Sequence, residues 1–238
     1  LTMSDGHLEF TRLLPAEACA RLWGGDPSLT ALSVIPKSKR GQELDPNEGN
    51  EDARNVIAAT LSNDANHLRG LSIFGVTEVP DSLAQLTTLE ELRFQNAFRQ
   101  NGFFSMPMVI CRLENLRILE LAGHHITMFP SELSNLEFLQ VLDVSVNKAT
   151  TLPPECSTLT HLVHLNIGDN EIGDEGARDV AHIFLNHPSL LRMSIDYNNI
   201  GVVGCGYLVD MLDATPVLMN LEIDGNPGYD VAEERFRA

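Results

Sequence analysis

The chain has 238 residues, with 16 Lys and Arg against 33 Asp and Glu, giving a formal net charge of −17. So acidic a chain is poorly suited to nucleic acid or to an anionic membrane surface, because both are held by basic side chains. Its 43% hydrophobic residues suffice for one large core or two small ones, and no apolar run approaches the roughly 20 residues that span a bilayer.

Residues 1–20 lack a charged segment followed by an apolar one, so no signal peptide is expected. Leu1 stands where Met is usual, which is expected of a piece of a longer protein or of a remnant before Met3. The first predicted element is a helix over Pro15–Trp23. A six-residue pattern follows, Leu29-Thr-Ala-Leu32-Ser-Val34, with apolar positions one, four and six. Pro36–Asn50 is polar and reads as a mobile loop carrying the basic cluster Lys37, Lys39 and Arg40. A helix is predicted over Glu51–Leu61.

The six-residue pattern then returns at Leu68–Ile73, Leu89–Phe94, Leu116–Leu121, Leu139–Val144, Leu162–Ile167, Leu190–Ile195 and Leu218–Ile223. Start-to-start spacings are 39, 21, 27, 23, 23, 28 and 28 residues. Positions four and six fall on one side of a short strand, by the period of two. A single coil cannot bury that side alone, whereas stacked coils share one core beneath a parallel sheet. Asn147, Asn170, Asn198 and Asn226 each stand three residues after position six, where an amide can bond the backbone of a neighbouring coil. His124 takes that place in the Leu116 copy, and a less regular turn is expected there.

The connections are of two kinds. Val79-Pro80, Met106-Pro107, Phe129-Pro130 and Leu152-Pro153 each precede apolar residues three and six positions beyond the proline. Proline fixes the entry and opens a short helical turn. Gly173–Leu185 and Gly204–Leu212 instead carry apolar residues at helical spacing, and Asp174 and Glu175 place acids in the first turn of the former. Ala97–Ser105 adds about four residues to a repeat of 23, and insertions in solenoids are extruded at the rim. Phe98, Phe103 and Phe104 are therefore expected in a surface loop.

Eight copies in register resemble the leucine-rich repeat family, from about residue 15 to Asn226. The short repeats resemble the 23-residue class of that family; the long ones at both ends resemble its ribonuclease-inhibitor-like class. The resemblance implies an α/β solenoid with a curved parallel sheet on the concave side and helices or short turns on the convex side. We expect one domain over 1–238, with 1–28 a partial leading repeat or cap, 29–226 eight repeats and 227–238 a tail.

Strand residues outside the core face the concave side. They gather Glu120, Asp143, Asp169, Asp196, Glu222 and Asp224 in the C-terminal half, with Arg93, Asn166 and Tyr197 beside them and Phe74 in the N-terminal half. Such a face suits a protein partner with a basic surface, Tyr197 and Phe74 serving as anchors and the three loop phenylalanines as a second contact.

Chemistry is not indicated. His161 and His164 would point to opposite sides of a strand, with no Cys or acid to complete a metal site. No phosphate-binding loop, nucleophile elbow or zinc-protease motif occurs. Cys19, Cys111, Cys156 and Cys205 stand singly, and none of the 17 Asn opens an Asn-x-Ser/Thr acceptor, so neither a disulfide framework nor a zinc pattern results. The expectation is a cytoplasmic, non-catalytic interaction module without cofactor or metal. Its alternative is the recognition segment of a larger protein, such as a ubiquitin ligase, an immune-receptor-like protein or an effector, whose activity lies elsewhere.

Overall fold

The computed structural model describes residues 2–4, 7–10, 30–34, 46–62, 67–96 and 102–230. Among the described residues ten strands form one sheet in sequence order: β1 (Thr2–Ser4), β2 (His7–Phe10), β3 (Ala31–Val34), β4 (Gly70–Phe74), β5 (Glu91–Gln95), β6 (Ile118–Glu120), β7 (Val141–Asp143), β8 (His164–Asn166), β9 (Arg192–Ser194) and β10 (Asn220–Glu222). β1 and β2 pair antiparallel, and every later neighbour pairs parallel. The eight expected strands are β3–β10. The β1–β2 hairpin was not expected, although Leu8 and Phe10 stand in register with Leu32 and Val34. The predicted helix over Pro15–Trp23, Phe98 and the basic cluster at 37–40 lie outside the described residues.

Position four forms a single spine. Leu32 pairs with Leu71, then Leu92, Leu119, Leu142, Leu165, Met193 and Leu221. All but the last are buried, as are the position-one and position-six residues of the described coils from Leu68 to Ile223. Parallel strands demand crossovers, and here the crossover supplies the other half of the core.

Those crossovers differ along the array. At its two ends they are α-helices: α1 (Pro46–Ser62), α2 (Gly173–Phe184) and α3 (Val202–Ala214). In the middle they are one-turn 3-10 helices over Asp81–Gln85, Met108–Arg112, Ser131–Asn135 and Pro154–Thr158. Pro80, Pro107, Pro130 and Pro153 stand extended before each turn, and their carbonyls accept the N–H three residues on, all at 3.0 Å. The third residue past each proline, Leu83, Ile110, Leu133 or Cys156, is wholly buried.

The helix boundaries depart from expectation: α3 runs two residues beyond the predicted Gly204–Leu212 at each end, and α1 ends at Ser62 rather than Leu61. α1 starts at Pro46, five residues before the predicted Glu51, so Pro46–Asn50 is helix rather than loop. Proline suits a first helical position, where its missing N–H would have no partner anyway. Asn50 is buried and ties the helix to the next crossover: its Oδ1 accepts from Thr77 N–H at 2.7 Å and Glu78 N–H at 2.9 Å. α2 ends at Phe184, so Leu185 falls past its end and is 45% exposed. Asp174 of α2 accepts from the N–H groups of Gly201 and Gly204 at 2.6 and 3.0 Å, so one helix caps the start of the next.

The asparagine ladder is complete over four coils. Nδ2 of Asn147, Asn170, Asn198 and Asn226 donates to the position-six carbonyl of the preceding coil (Leu121, Val144, Ile167 and Ile195) at 2.9–3.1 Å. Each Oδ1 accepts a backbone N–H of that same preceding coil, from Ile126, Ala149, Ile172 and Ile200. His124 reproduces both bonds, against the expected irregular turn. Its Nε2 lies 2.8 Å from Phe94 O, and its Nδ1 accepts from Phe103 N–H at 3.3 Å. This pairing sets the tautomer, with the proton on Nε2. Burial pushes the His124 pKa down to about 4, with Phe94 O opposing the shift and His125 adding to it.

Candidate functional site

The concave rows are in strict register. Ser33, Ser72, Arg93, Glu120, Asp143, Asn166, Ser194 and Glu222 stand opposite one another in successive strands. Their side chains are bonded along the row. Arg93 Nε donates to Glu120 Oε1 at 2.9 Å, and its terminal nitrogen pairs with Glu91 at 2.5 Å. Gln95 donates to the second oxygen of Glu120 at 2.6 Å. Burial works against the Arg93 charge, yet its bonds to Glu91 and Glu120 hold its pKa above the ordinary value. Glu120 is thus a partly neutralised carboxylate.

Towards the C-terminal end the acids are less committed to cations. Asp143 accepts from Ser145 N–H at 2.9 Å and from Asn166 Nδ2 at 3.2 Å. Asp196 accepts from Ser194 Oγ at 2.5 Å and lies over Gly168, where a Cβ would fall 2.2 Å from its carboxylate. Glu222 accepts from Asn220. Glu120, Asp143, Asn166, Ser194 and Glu222 share a shallow depression of about 250 Å³ with His164 and Arg192. Neither of these last two was among the expected site residues, although their register just before position four marks them as outward-facing.

Asp169, Tyr197 and Asp224 stand where the chain leaves the sheet. The residue two beyond position six adopts a left-handed backbone in coil after coil: Gly75, Gly123, Val146, Asp169, Tyr197 and Gly225, with φ between 50° and 81°. Glycine meets this requirement without strain, whereas Val146, Asp169 and Tyr197 carry side chains there. Tyr197 is 61% exposed, and its ring lies on Gly225, where a Cβ would fall 2.4 Å from it. Tyr197 is therefore an exposed, backed ring flanked in sequence by Asp196.

The expected phenylalanine loop is only partly a surface. Phe104 is 74% exposed and stacks on His125 with centroids 5.7 Å apart. Phe103 is a correction: it is buried, 4% exposed, and lies flat on His124 with centroids 4.4 Å apart. Its ring closes the edge of the core that the insertion would otherwise leave open. Phe74 is half-buried on β4, two strands from Glu120 at the near end of the acidic cluster, with its register partner Gln95 standing between them.

Among the described residues no group of three His, Cys, Asp or Glu side chains is placed to hold a metal ion. His161 Nδ1 donates to Glu137 O at 2.9 Å, and its ring packs on Phe138. Cys111, Cys156 and Cys205 are buried, and burial pushes the first two thiols up to about 11 and about 12.

A profile described as a leucine-rich repeat region matches residues 106–181. The fold is similar to an internalin (inlF) from Listeria monocytogenes str. 4b F2365, with TM-score 0.54 and 18% identity over 92% of this chain. It is also similar to an internalin C2 (inlC2) from the same strain, with TM-score 0.55, 22% identity, 80% of this chain and 79% of that one. The chain spans 61% of the first of these. No curated protein matches the sequence. Stacked coils, parallel sheet and matched repeats define the fold as an α/β leucine-rich repeat solenoid.

Proposed function

We propose that this chain is a non-catalytic protein-interaction module whose concave face and adjoining rim bind a partner with a basic surface. The observation that carries this reading is the run of outward carboxylates Glu120, Asp143, Asp169, Asp196, Glu222 and Asp224 around the exposed ring of Tyr197. A rigid, predominantly acidic face steers an oppositely charged partner, and a backed aromatic ring supplies a desolvated anchor. Arg93 and Asn166 act within this row by positioning Glu120 and Asp143. The long coils with α-helical crossovers are ribonuclease-inhibitor-like in this reading, and the short ones are typical 23-residue repeats. The isolated cysteines support an intracellular setting.

A second reading makes the chain the recognition segment of a larger protein; the share of the internalin that it spans supports it. Both readings are tested by capture from source lysate. Charge reversal at Asp143, Asp169 and Asp196, and separately Tyr197→Ala, should each remove bound partners that the unaltered chain retains. Identical partner sets for all three proteins, with unfolding curves unchanged, would refute the concave-face reading.

A further inference from the structure

We propose a second binding surface, on the rim where the chain enters the sheet, that takes an acidic side chain of a partner protein. The residue after position one of each coil lies on this rim. Backbone bonds tie the row together: Glu90 N–H donates to Arg69 O at 2.7 Å, Arg117 N–H to Glu90 O at 2.7 Å and Gln140 N–H to Arg117 O at 2.8 Å. Successive side chains are therefore about one strand spacing, roughly 5 Å, apart.

Glu90 bridges two guanidinium groups. One of its oxygens pairs with Arg69, and the other lies 3.5 Å from Arg117 Nε. One carboxylate thus faces two cations, and the cluster keeps a positive charge on a chain whose net charge is −17. Each guanidinium has five N–H donors in a planar fork, more than Glu90 can satisfy, and that fork matches a second carboxylate. The side chains of Arg69 and Arg117 are 59% and 49% exposed, within reach of a ligand.

A depression of about 260 Å³ opens over the pair, walled by Arg69, Thr88, Glu90, Asn115, Arg117 and Phe138. Thr88 Oγ1 is committed to Leu68 O and Asn115 Nδ2 to Thr87 O, both at 2.8 Å, so the guanidiniums hold the spare donors. Phe138 is 45% exposed, and its ring is steadied by His161 with centroids 5.8 Å apart. Beyond Phe138, Glu114 and Glu137 line a separate depression, so an anion is repelled there and confined to the arginine side. The occupant is a peptide carboxylate rather than a lipid headgroup, because the positive patch is only two arginines wide and the flanking Glu114 and Glu137 repel an extended anionic surface such as a bilayer. This surface has the opposite sign to the concave face and does not rest on the reading given for it.

The probe is hexaglutamate, titrated at low ionic strength into the ¹⁵N-labelled full chain. The amide signals of Arg69, Asn115, Arg117 and Phe138 should move and recover with added salt. Arg69→Gln/Arg117→Gln should weaken binding at least tenfold. Glu90→Gln, which removes the competing carboxylate, should tighten it several-fold. Absence of localised shifts, or equal affinity for all three proteins, overturns the proposal. So does arginine-dependent sedimentation with phosphatidylserine vesicles in the absence of hexaglutamate binding.

Discussion

Acidification should destabilise the solenoid at one identifiable residue. His124 is buried, with Nε2 facing Phe94 O and Nδ1 accepting Phe103 N–H. A second proton would have to sit on Nδ1, against an N–H donor and in contact with the stacked Phe103 ring. Burial accordingly holds its pKa down at about 4, against an ordinary value of 6.5. Between those values the unfolded chain binds a proton that the folded chain does not, so folding weakens as pH falls. The contribution is fully present above about pH 6.5, declines by about 2 kcal/mol between pH 7 and pH 5, and levels off near 3 kcal/mol of loss below pH 4. Urea unfolding at pH 7 and pH 5 measures it. His124→Asn restores the residue found in four other coils and removes the titration, so its midpoint should shift less with pH by that amount. His187 is also held below its ordinary value by burial, and its share is common to both proteins. Equal pH slopes for the two proteins, or a His124 ring signal titrating near 6.5, would refute the argument.

Three further perturbations test the packing. Leu142→Ala removes a wholly surrounded spine residue and should cost about 2–5 kcal/mol by urea unfolding; a cost near zero would contradict the register. Asn170→Ala strands the Ala149 N–H and leaves the Val144 carbonyl with Asn147 alone, and should cost about 1–3 kcal/mol by the same assay. Val146 holds φ at 57° with a β-branched side chain, so Val146→Asn should raise stability by about 1 kcal/mol in thermal unfolding.

The spine was legible because it depends on spacing alone: a leucine three places before another, repeated seven times with Met193 standing in for the second leucine of an eighth copy, admits few foldings. The prolines before the short turns were legible for a similar reason, since φ is fixed within the residue itself. Phe103 was not. Its partner, His124, lies 21 residues away, and nothing local tells a ring that folds back from its exposed neighbour Phe104. Asn50 was misread because a polar residue in a polar stretch looks like loop until its bonds to Thr77 and Glu78 are seen. The Arg69–Glu90–Arg117 row was readable in principle as the residue after position one, but the sharing of one carboxylate by two arginines belongs to the stacking of coils and not to any one of them.

The left-handed row has a consequence for how such a protein can change. In the coils of Asn147, Asn170 and Asn198 the exit turn is secured by the amide ladder and by backbone bonds to the next coil, such as Tyr197 N–H to Asp224 O at 2.9 Å. Because the main chain is pinned from outside, Val146, Asp169 and Tyr197 need not be glycine and carry their side chains at a modest conformational penalty, whereas at Gly123 and Gly225 a Cβ would fall 2.1 Å from Asn96 O and 2.4 Å from the Tyr197 ring. At those three rungs recognition chemistry can therefore be rewritten by single substitutions that leave the interior untouched.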